Sequence, residues 1–327
     1  MMPKSWTPLA LAALAVAALG CGSDANGPDP GPDPANTRVR TLLVHHQDTG
    51  ENTLVNTDGS AAGTFADASR GMVPIGIDPA DGTAVLIDGT VITLVTLGKP
   101  DQIDTIIQPA PASLSLAAFS PNGVLVALVS YAPTAALLLY DRANRRVDTL
   151  SLAGADPVLP PAFSPDGERI ALITLTDISI LATVIPLDPL ASAQTRRLAV
   201  SRFTNRLIFG WPRWGSDGLQ IAVRRVAQEG PDTLLVGVVD PDIEGTLLTE
   251  QYRALLAPAA HPTAELDFAV ESTYHLASDG QALALGAVPG TGGARHAVYL
   301  VTPGISRVQP VLDTLAQYPV FPLFIRE

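Results

Sequence analysis

Pro161-Ala162-Phe163-Ser164-Pro165-Asp166-Gly167-Glu168-Arg169-Ile170-Ala171-Leu172-Ile173 is the clearest copy of a pattern that recurs along the chain. It spells a strand, a tight turn and a second strand. Proline presets the first central position of a type I turn, and Asp or Asn suits the second. Glycine then takes the left-handed position that closes the hairpin with a bulge. The same pattern recurs at Leu116–Val129, Trp211–Val223 and Tyr274–Leu285, and more loosely at Ile75–Ile87. A large residue precedes each turn: Ile77, Phe119, Phe163, Trp214 and Leu276. A β-branched or leucyl residue follows three positions after the glycine, and then usually alanine (Ala127, Ala171, Ala222, Ala284; Leu86 is the exception). Bulky beside small is what closely packed sheets require.

The turn glycines are Gly82, Gly123, Gly167, Gly218 and Gly280, with spacings of 41, 44, 51 and 62 residues. Short strands repeating at such intervals predict radial β-sheets, the blades of a propeller. The copies resemble the WD40-like repeats of the TolB-type β-propeller, marked by a hydrophobic residue, Ser-Pro-Asp-Gly and a hydrophobic strand. The resemblance covers nearly all of residues 38–327 and implies an all-β fold. It does not extend to the separate N-terminal domain of that family, so a role in the Tol–Pal envelope system is not implied.

Outward from the repeats, the remaining segments complete the ring. Thr41–His46, Thr53–Asn56 and Ala62–Phe65 form three strands with no Ser-Pro-Asp-Gly strand before them. Further blades are expected at 72–107, 114–152, 158–200, 208–250 and 271–315. Tyr318–Ile325 is apolar and has no turn after it, so it is expected to supply the missing inner strand of the first blade. The sum is a six-bladed β-propeller closed by N- and C-terminal strands in one blade, which removes open sheet edges. Two prolines sit awkwardly in that last strand; the alternative is a five-bladed or incompletely closed ring with a loose tail. The Ala- and Pro-rich connection Tyr252–Val270 has room for a short helix or a lid.

Residues 1–20 read as a signal peptide: Lys4, then an apolar run from Thr7 to Gly20, too short for a comfortable membrane span. The run ends in Ala18-Leu19-Gly20-Cys21, which resembles the bacterial lipobox, although Ala18 and Leu19 depart from its preferred residues. That resemblance makes Cys21 the lipidation site, carrying palmitate-type acyl chains, and Gly22 after it implies the outer membrane. The other reading is a plain secretory signal with an incidental cysteine. Cys21 is the single cysteine, so no internal disulfide exists. Residues 21–37 are a Pro/Gly/Asp-rich tether. Its extended Gly22–Asn36 portion spans up to about 45 Å at about 3.1 Å per residue.

Of the 327 residues, 47% are hydrophobic and 16% charged, which is globular composition. The formal net charge of −12 argues against nucleic-acid binding. Arginine outnumbers lysine 18 to 2, a bias read here as genomic base composition.

The sequence contains no Gly-x-Ser-x-Gly elbow, His-Glu-x-x-His, Walker loop or Cys pair. Gly290-Thr291-Gly292-Gly293 reads as a hairpin tip. Asp240-Pro241-Asp242-Ile243-Glu244-Gly245 resembles half a calcium loop, but its twelfth position is Gln251, and an ordinary Asp-Gly-type turn is expected. His45 and His46 are adjacent on a strand and point to opposite faces. His261, Glu271 and His275 are the candidates for a metal or acid–base site, against a bland reading of scattered rim residues. Arg213, Glu271, Tyr274 and His275 are the main polar residues on the inner strands and the candidates for channel or face binding. The expectation is a monomeric, non-catalytic lipoprotein with no cofactor. It would hold the membrane through its lipid anchor and a protein or small-molecule ligand on a propeller face, facing periplasm or cell surface. The rival reading is a propeller hydrolase or lyase with a channel metal. The working face is expected on the interblade loops 66–72, 108–113, 153–157, 201–207, 252–270 and 316–319.

Overall fold

A computed structural model describes residues 39–326, apart from 66–68, 79, 90, 108–113, 116, 132–134, 153–159, 176–178, 189–193, 201–206, 210–211, 216, 226–232, 244–248, 256–265, 268–273, 278–282, 290–296, 303–308 and 314–319. Residues 38–327 form a compact unit by themselves. Among the described residues there are six antiparallel sheets.

The first sheet is built from both ends of the chain. Its order is β26 (Val320–Arg326), β1 (Thr41–His46), β2 (Glu51–Asn56), β3 (Ala61–Thr64). The β26–β1 register runs from His46 opposite Val320 to Thr41 opposite Arg326. The closing strand expected at the C-terminus is therefore present. Pro322 lies in it, opposite Val44. β26 has a sheet neighbour on one side only. Half of its amides therefore face away from the ladder, the setting in which a strand tolerates proline.

The second sheet is β4 (Val73–Asp78), β5 (Thr83–Ile87), β6 (Ile92–Thr96) and β7 (Lys99–Ile107). The third is β8 (Ala118–Phe119), β9 (Leu125–Ser130), β10 (Ala136–Asp141) and β11 (Arg146–Ser151), and the fourth β12 (Ala162–Phe163), β13 (Arg169–Leu175), β14 (Ser179–Pro186) and β15 (Gln194–Val200). The fifth has β16 (Leu207–Phe209) and β17 (Arg213–Gly215) beside β18 (Gly218–Arg225), then β19 (Thr233–Val239) and β20 (Thr249–Leu255). The sixth has β21 (Leu266–Asp267) and β22 (Tyr274–Leu276) beside β23 (Leu283–Pro289), then β24 (Ala297–Val301) and β25 (Gln309–Asp313).

The inner strands are shorter than the sequence suggests. β8 and β12 keep two residues each, and in sheets five and six the inner strand is in two pieces. Pro212 separates β16 from β17, and a proline has no N–H for the ladder. The connection after the fifth sheet is also shorter than expected. Residues 252–255 belong to β20, and 266–267 pair with β23, so neither belongs to a free lid. The remainder of that connection lies outside the described residues.

Among the described residues, shared apolar clusters join neighbouring sheets at five of the six junctions, and at the junction of the fifth and sixth Arg213 donates to the Ala277 carbonyl. Leu43, Leu54 and Leu323 of the first sheet pack with Ile77, Ala84 and Leu86 of the second. Ile75 and Val85 pack with Ala117, Val126 and Leu128. Ala127 and Val129 pack with Phe163, Ile170 and Leu172. Ala171 and Ile173 pack with Trp214, Leu219 and Ile221. Val298 and Val311 of the sixth sheet return to Leu42, Val44 and Phe324 of the first. This is the propeller, with its chain ends sharing one blade.

The small residues do what packing requires. Ala127 faces Ala118 across its ladder, and Ala171 faces Ala162. The corresponding pair in the second blade is Val85 opposite Gly76. The glycine of that blade's turn comes one residue later than in the others, so Leu86 is not the structural counterpart of Ala127. Gly76 has its own constraint: a Cβ there would stand 2.5 Å from the Ala117 carbonyl oxygen. Next to it the Ala117 N–H donates to the Ile75 carbonyl at 2.5 Å, so two inner strands are bonded directly across the junction.

Candidate functional site

The antiparallel order gives the ring two rims. The inner strands β4, β8, β12 and β17 each run into their turn at one rim. The turn between β10 and β11 lies at that same rim, because Asp141 is opposite Leu125. The interblade connections lie at the other rim.

Two turns at the first rim, those after β8 and β12, are wired alike. Ser164 Oγ donates to Asp166 Oδ1, and the Glu168 N–H donates to the same oxygen at 2.9 Å. Ser164 Oγ also accepts the Arg169 N–H at 2.9 Å. The Gly167 N–H donates to the Ser164 carbonyl at 2.8 Å, and Gly167 has φ 73°. These donors hold the Asp166 carboxyl below its usual range, the serine hydroxyl contributing most. A carboxylate held low is a poor base, so this Ser–Asp pair is a locked turn rather than a nucleophile with its activator. Gly82 and Gly123 share the left-handed backbone, with φ 70° and 67°. Gly218 differs: it is opposite Gly215, closing a two-residue loop with φ 125°.

Arginines join the turns of successive blades. Arg142 Nη1 donates to Asp78 Oδ2 at 3.1 Å and to the Gly123 carbonyl at 2.8 Å. Its Nη2 donates to Asp81 Oδ2 and to Thr83 Oγ1, each at 3.1 Å. Its guanidinium carbon stands 5.7 Å from the Phe119 ring centroid. One planar fork thus ties the second blade to the third, which a lysine has too few fixed donors to do. The Asp78 side chain is only 5% exposed. Burial, helped by the Asp81 charge, pushes its carboxyl above the usual carboxylate range; the Ala80 N–H and Arg142 work the opposite way. Asp81 is held low by Thr83 and Arg142 despite partial desolvation. Arg169 makes the equivalent link from the fourth blade to the fifth. Its Nη1 is 3.0 Å from Asp242 Oδ1, and its guanidinium carbon stands 4.6 Å from the Trp214 ring centroid.

Arg213, a channel candidate, is half-buried on β17 and donates to the Ala277 carbonyl of the sixth blade. Tyr274 and His275 lie on β22, with His275 opposite Ala284 in register. Glu271, His261, Gly280 and Cys21 lie outside the described residues. The Asp240 segment is an Asx turn: Asp240 Oδ1 accepts the Asp242 N–H at 2.8 Å, and Asp242 is committed to Arg169. Among the described residues, no group of three or more His, Cys, Asp or Glu is placed to hold a metal ion.

At the opposite rim, His45 and His46 do point to different partners. His45 Nδ1 lies 3.0 Å from Asn52 Oδ1, and Asn52 Nδ2 donates to the Ser69 carbonyl, Ser69 Oγ and the Met72 carbonyl at 2.9, 3.1 and 3.0 Å. Those three acceptors orient the amide, so its oxygen faces the imidazole and His45 carries its proton on Nδ1. This network fastens the connection between the first and second blades. Burial lowers the pKa of both histidines from 6.5, and for each it is the largest cause.

The fold defines the class: a β-propeller. Its architecture is TolB-like. A TolB candidate from Agrobacterium tumefaciens superposes with a TM-score of 0.50 at 14% identity, covering 84% of this chain and 90% of that one. A chain of the nidogen/laminin complex superposes at 0.52 and 13% identity, covering 86% and 97%. TolB from Acinetobacter baumannii gives 0.46 and 15% identity over 74% of this chain, which spans 53% of that protein. No family model matches the sequence, and no curated protein matches it.

The arginine links are what sequence reasoning missed. Arg142 and Asp78 are 64 residues apart. The arginine bias gave a signal, but composition does not say which residue meets which.

Proposed function

We propose that this chain is a lipoprotein of the bacterial cell envelope whose propeller is a protein-binding platform without a catalytic step. The carrying observation is the cross-braced ring, with Arg142 and Arg169 joining blades and both chain ends in one sheet. Such a scaffold presents loops in fixed relative positions, which lowers the ordering cost of binding a partner. Similar solved structures are consistent with this use: one is a TolB candidate of a bacterium, and one is a chain of a protein–protein complex. The apolar run ending at Cys21 supports acylation of that thiol, with palmitate-type chains anchoring the protein and Gly22 directing it to the outer membrane. Several chains on one residue give stable anchoring where one does not. The tether, residues 21–37, then spaces the ring from the membrane. The partner meets the rim of interblade connections, and Arg213, Glu271, Tyr274 and His275 are the candidate channel contacts.

Three experiments test this reading. Cells fed labelled palmitate label the wild-type protein but not Cys21→Ser, and only the wild type sediments with outer membranes. Equal labelling of both removes the anchor. Crosslinking in intact cells then compares the wild type with a chain whose residues 256–265 are replaced by a Gly/Ser linker. Loss of a wild-type adduct supports binding at this rim, and an unchanged adduct pattern refutes it. Stoichiometric metal in the purified protein, lost in His275→Ala, would overturn the non-catalytic reading in favour of a channel-metal hydrolase or lyase.

A further inference from the structure

The turn between β8 and β9 is the sister of the turn between β12 and β13, with one chemical difference. Asn122 stands where the sister has Asp166. Asn122 Oδ1 takes the same two donors as Asp166 Oδ1: Ser120 Oγ at 2.7 Å and the Val124 N–H at 3.1 Å. The rest of the wiring matches too, with Ser120 Oγ accepting the Leu125 N–H at 2.8 Å and the Gly123 N–H donating to the Ser120 carbonyl at 2.8 Å. The turn therefore uses only the oxygen of the side-chain amide. The amide nitrogen has no role that an aspartate oxygen would fail to fill. Asn122 is exposed, and the residue after it is Gly123, which has no side chain to shield the main-chain nitrogen. Two donors on Oδ1 also draw electrons from Cγ.

We propose that Asn122 is a site of deamidation, and that its α-aspartate product completes a Ser-Pro-Asp-Gly turn without rearrangement. The Gly123 main-chain nitrogen attacks Asn122 Cγ. A nitrogen–Cγ bond forms, the Cγ–Nδ2 bond breaks, and ammonia leaves with the proton from the Gly123 nitrogen. Water then opens the five-membered imide. Cleavage of the new nitrogen–Cγ bond gives α-aspartate; cleavage on the main-chain carbonyl side gives isoaspartate. Nothing is oxidised or reduced, and water is the only co-reactant. The Gly123 N–H is engaged in the turn, so attack requires the hairpin to open locally. The native turn therefore sets the rate, and it also selects the product. Isoaspartate adds a methylene to the main chain and displaces the Gly123 carbonyl from Arg142 Nη1, now 2.8 Å away. Aspartate leaves that carbonyl in place. Conversion adds a negative charge to the rim that carries Asp78, Asp81 and Arg142, so the link between the second and third blades acquires a chemical record of age. Asparagine is a recognised thermolabile residue; here the surrounding turn accommodates its product.

The test incubates the full chain in mildly alkaline buffer, native and in denaturant, followed by peptide mass mapping. The peptide containing Asn122 is expected to gain the mass of an NH2-to-OH exchange in both samples, several-fold faster in denaturant. The native product is mainly α-aspartate by isoaspartate-specific methylation, whereas the denatured product is mainly isoaspartate. Asn122→Ser shows no gain in that peptide. Asn122→Asp melts with the wild type. A native chain that keeps Asn122 while the denatured chain converts completely overturns the proposal. So does an Asn122→Asp protein that melts well below wild type, because the product then does not fit the turn.

Discussion

Arg142→Ala is the sharpest perturbation of this ring. It removes the cation from a nearly buried carboxylate. Asp78 is 5% exposed at its side chain, against 24% for Arg142 and 45% for Asp81. Breaking a buried pair costs about 3–5 kcal/mol, because the remaining charge is left without its partner. Arg142 is partly wet, so the lower end applies. The more exposed Asp81 contact contributes only about 0.5 kcal/mol. We therefore expect a loss of about 3 kcal/mol. At about 2 °C per kcal/mol for a large domain, that lowers Tm by about 6 °C. Scanning calorimetry or urea unfolding reads it directly. Asp78→Asn in the same chain removes the buried charge, so the double variant should be more stable than the sum of single losses by about 1–3 kcal/mol. The pH dependence has a definite sign. Asp78 has its folded pKa raised above 3.8. Ionisation thus opposes folding, and the cost is relieved as pH falls through the folded pKa towards 3.8. Without Arg142 that pKa rises further, so the deficit of Arg142→Ala should shrink on acidification. Additive single variants, or a deficit that grows in acid, would refute the assignment of Arg142 as the counter-charge of Asp78.

Gly123→Ala places a Cβ 2.5 Å from Asp78 Oδ2 at φ 67°, whereas Gly98→Ala at φ 81° meets nothing within 4 Å. The second should cost about 1–2 kcal/mol of backbone strain and the first clearly more, read from paired urea melts. Phe324→Ala hollows the cluster between the first and sixth blades, where the ring is 0% exposed, and should cost about 3–5 kcal/mol. Limited proteolysis should then release the C-terminal strand first. His45 has its folded pKa lowered from 6.5, so its contribution is complete above that value and declines as pH falls below it towards the folded pKa. Urea midpoints measured across that window should fall in the wild type and fall less steeply in His45→Gln, where His46 alone keeps the same dependence.

The repeated turns were legible in the sequence because each is settled within six residues. Proline, Asp or Asn, and glycine each satisfy a local backbone demand, and Ser164 and Asp166 complete their bonds inside the hairpin. The closing strand was legible for a related reason: an apolar segment without a turn needs a partner sheet, and only the first blade lacked an inner strand. The candidate site was less legible. Arg213 stood out as a polar residue on an inner strand, yet its bond to the Ala277 carbonyl depends on a sixth blade far along the chain. The one-residue offset of the second blade's turn was hidden as well, because aligning glycines does not reveal which residues face each other across a ladder.

By itself, then, the chain's local chemistry determined the hairpins, their number and their all-β character. Tertiary structure alone decided that Gly76 must lack a side chain, that Asp78 is buried beside Arg142, and that Arg169 lies over Trp214. Those facts depend on which blade becomes whose neighbour once the ring closes. Closure is a property of the summed twist and packing of all the sheets, and no single repeat encodes it.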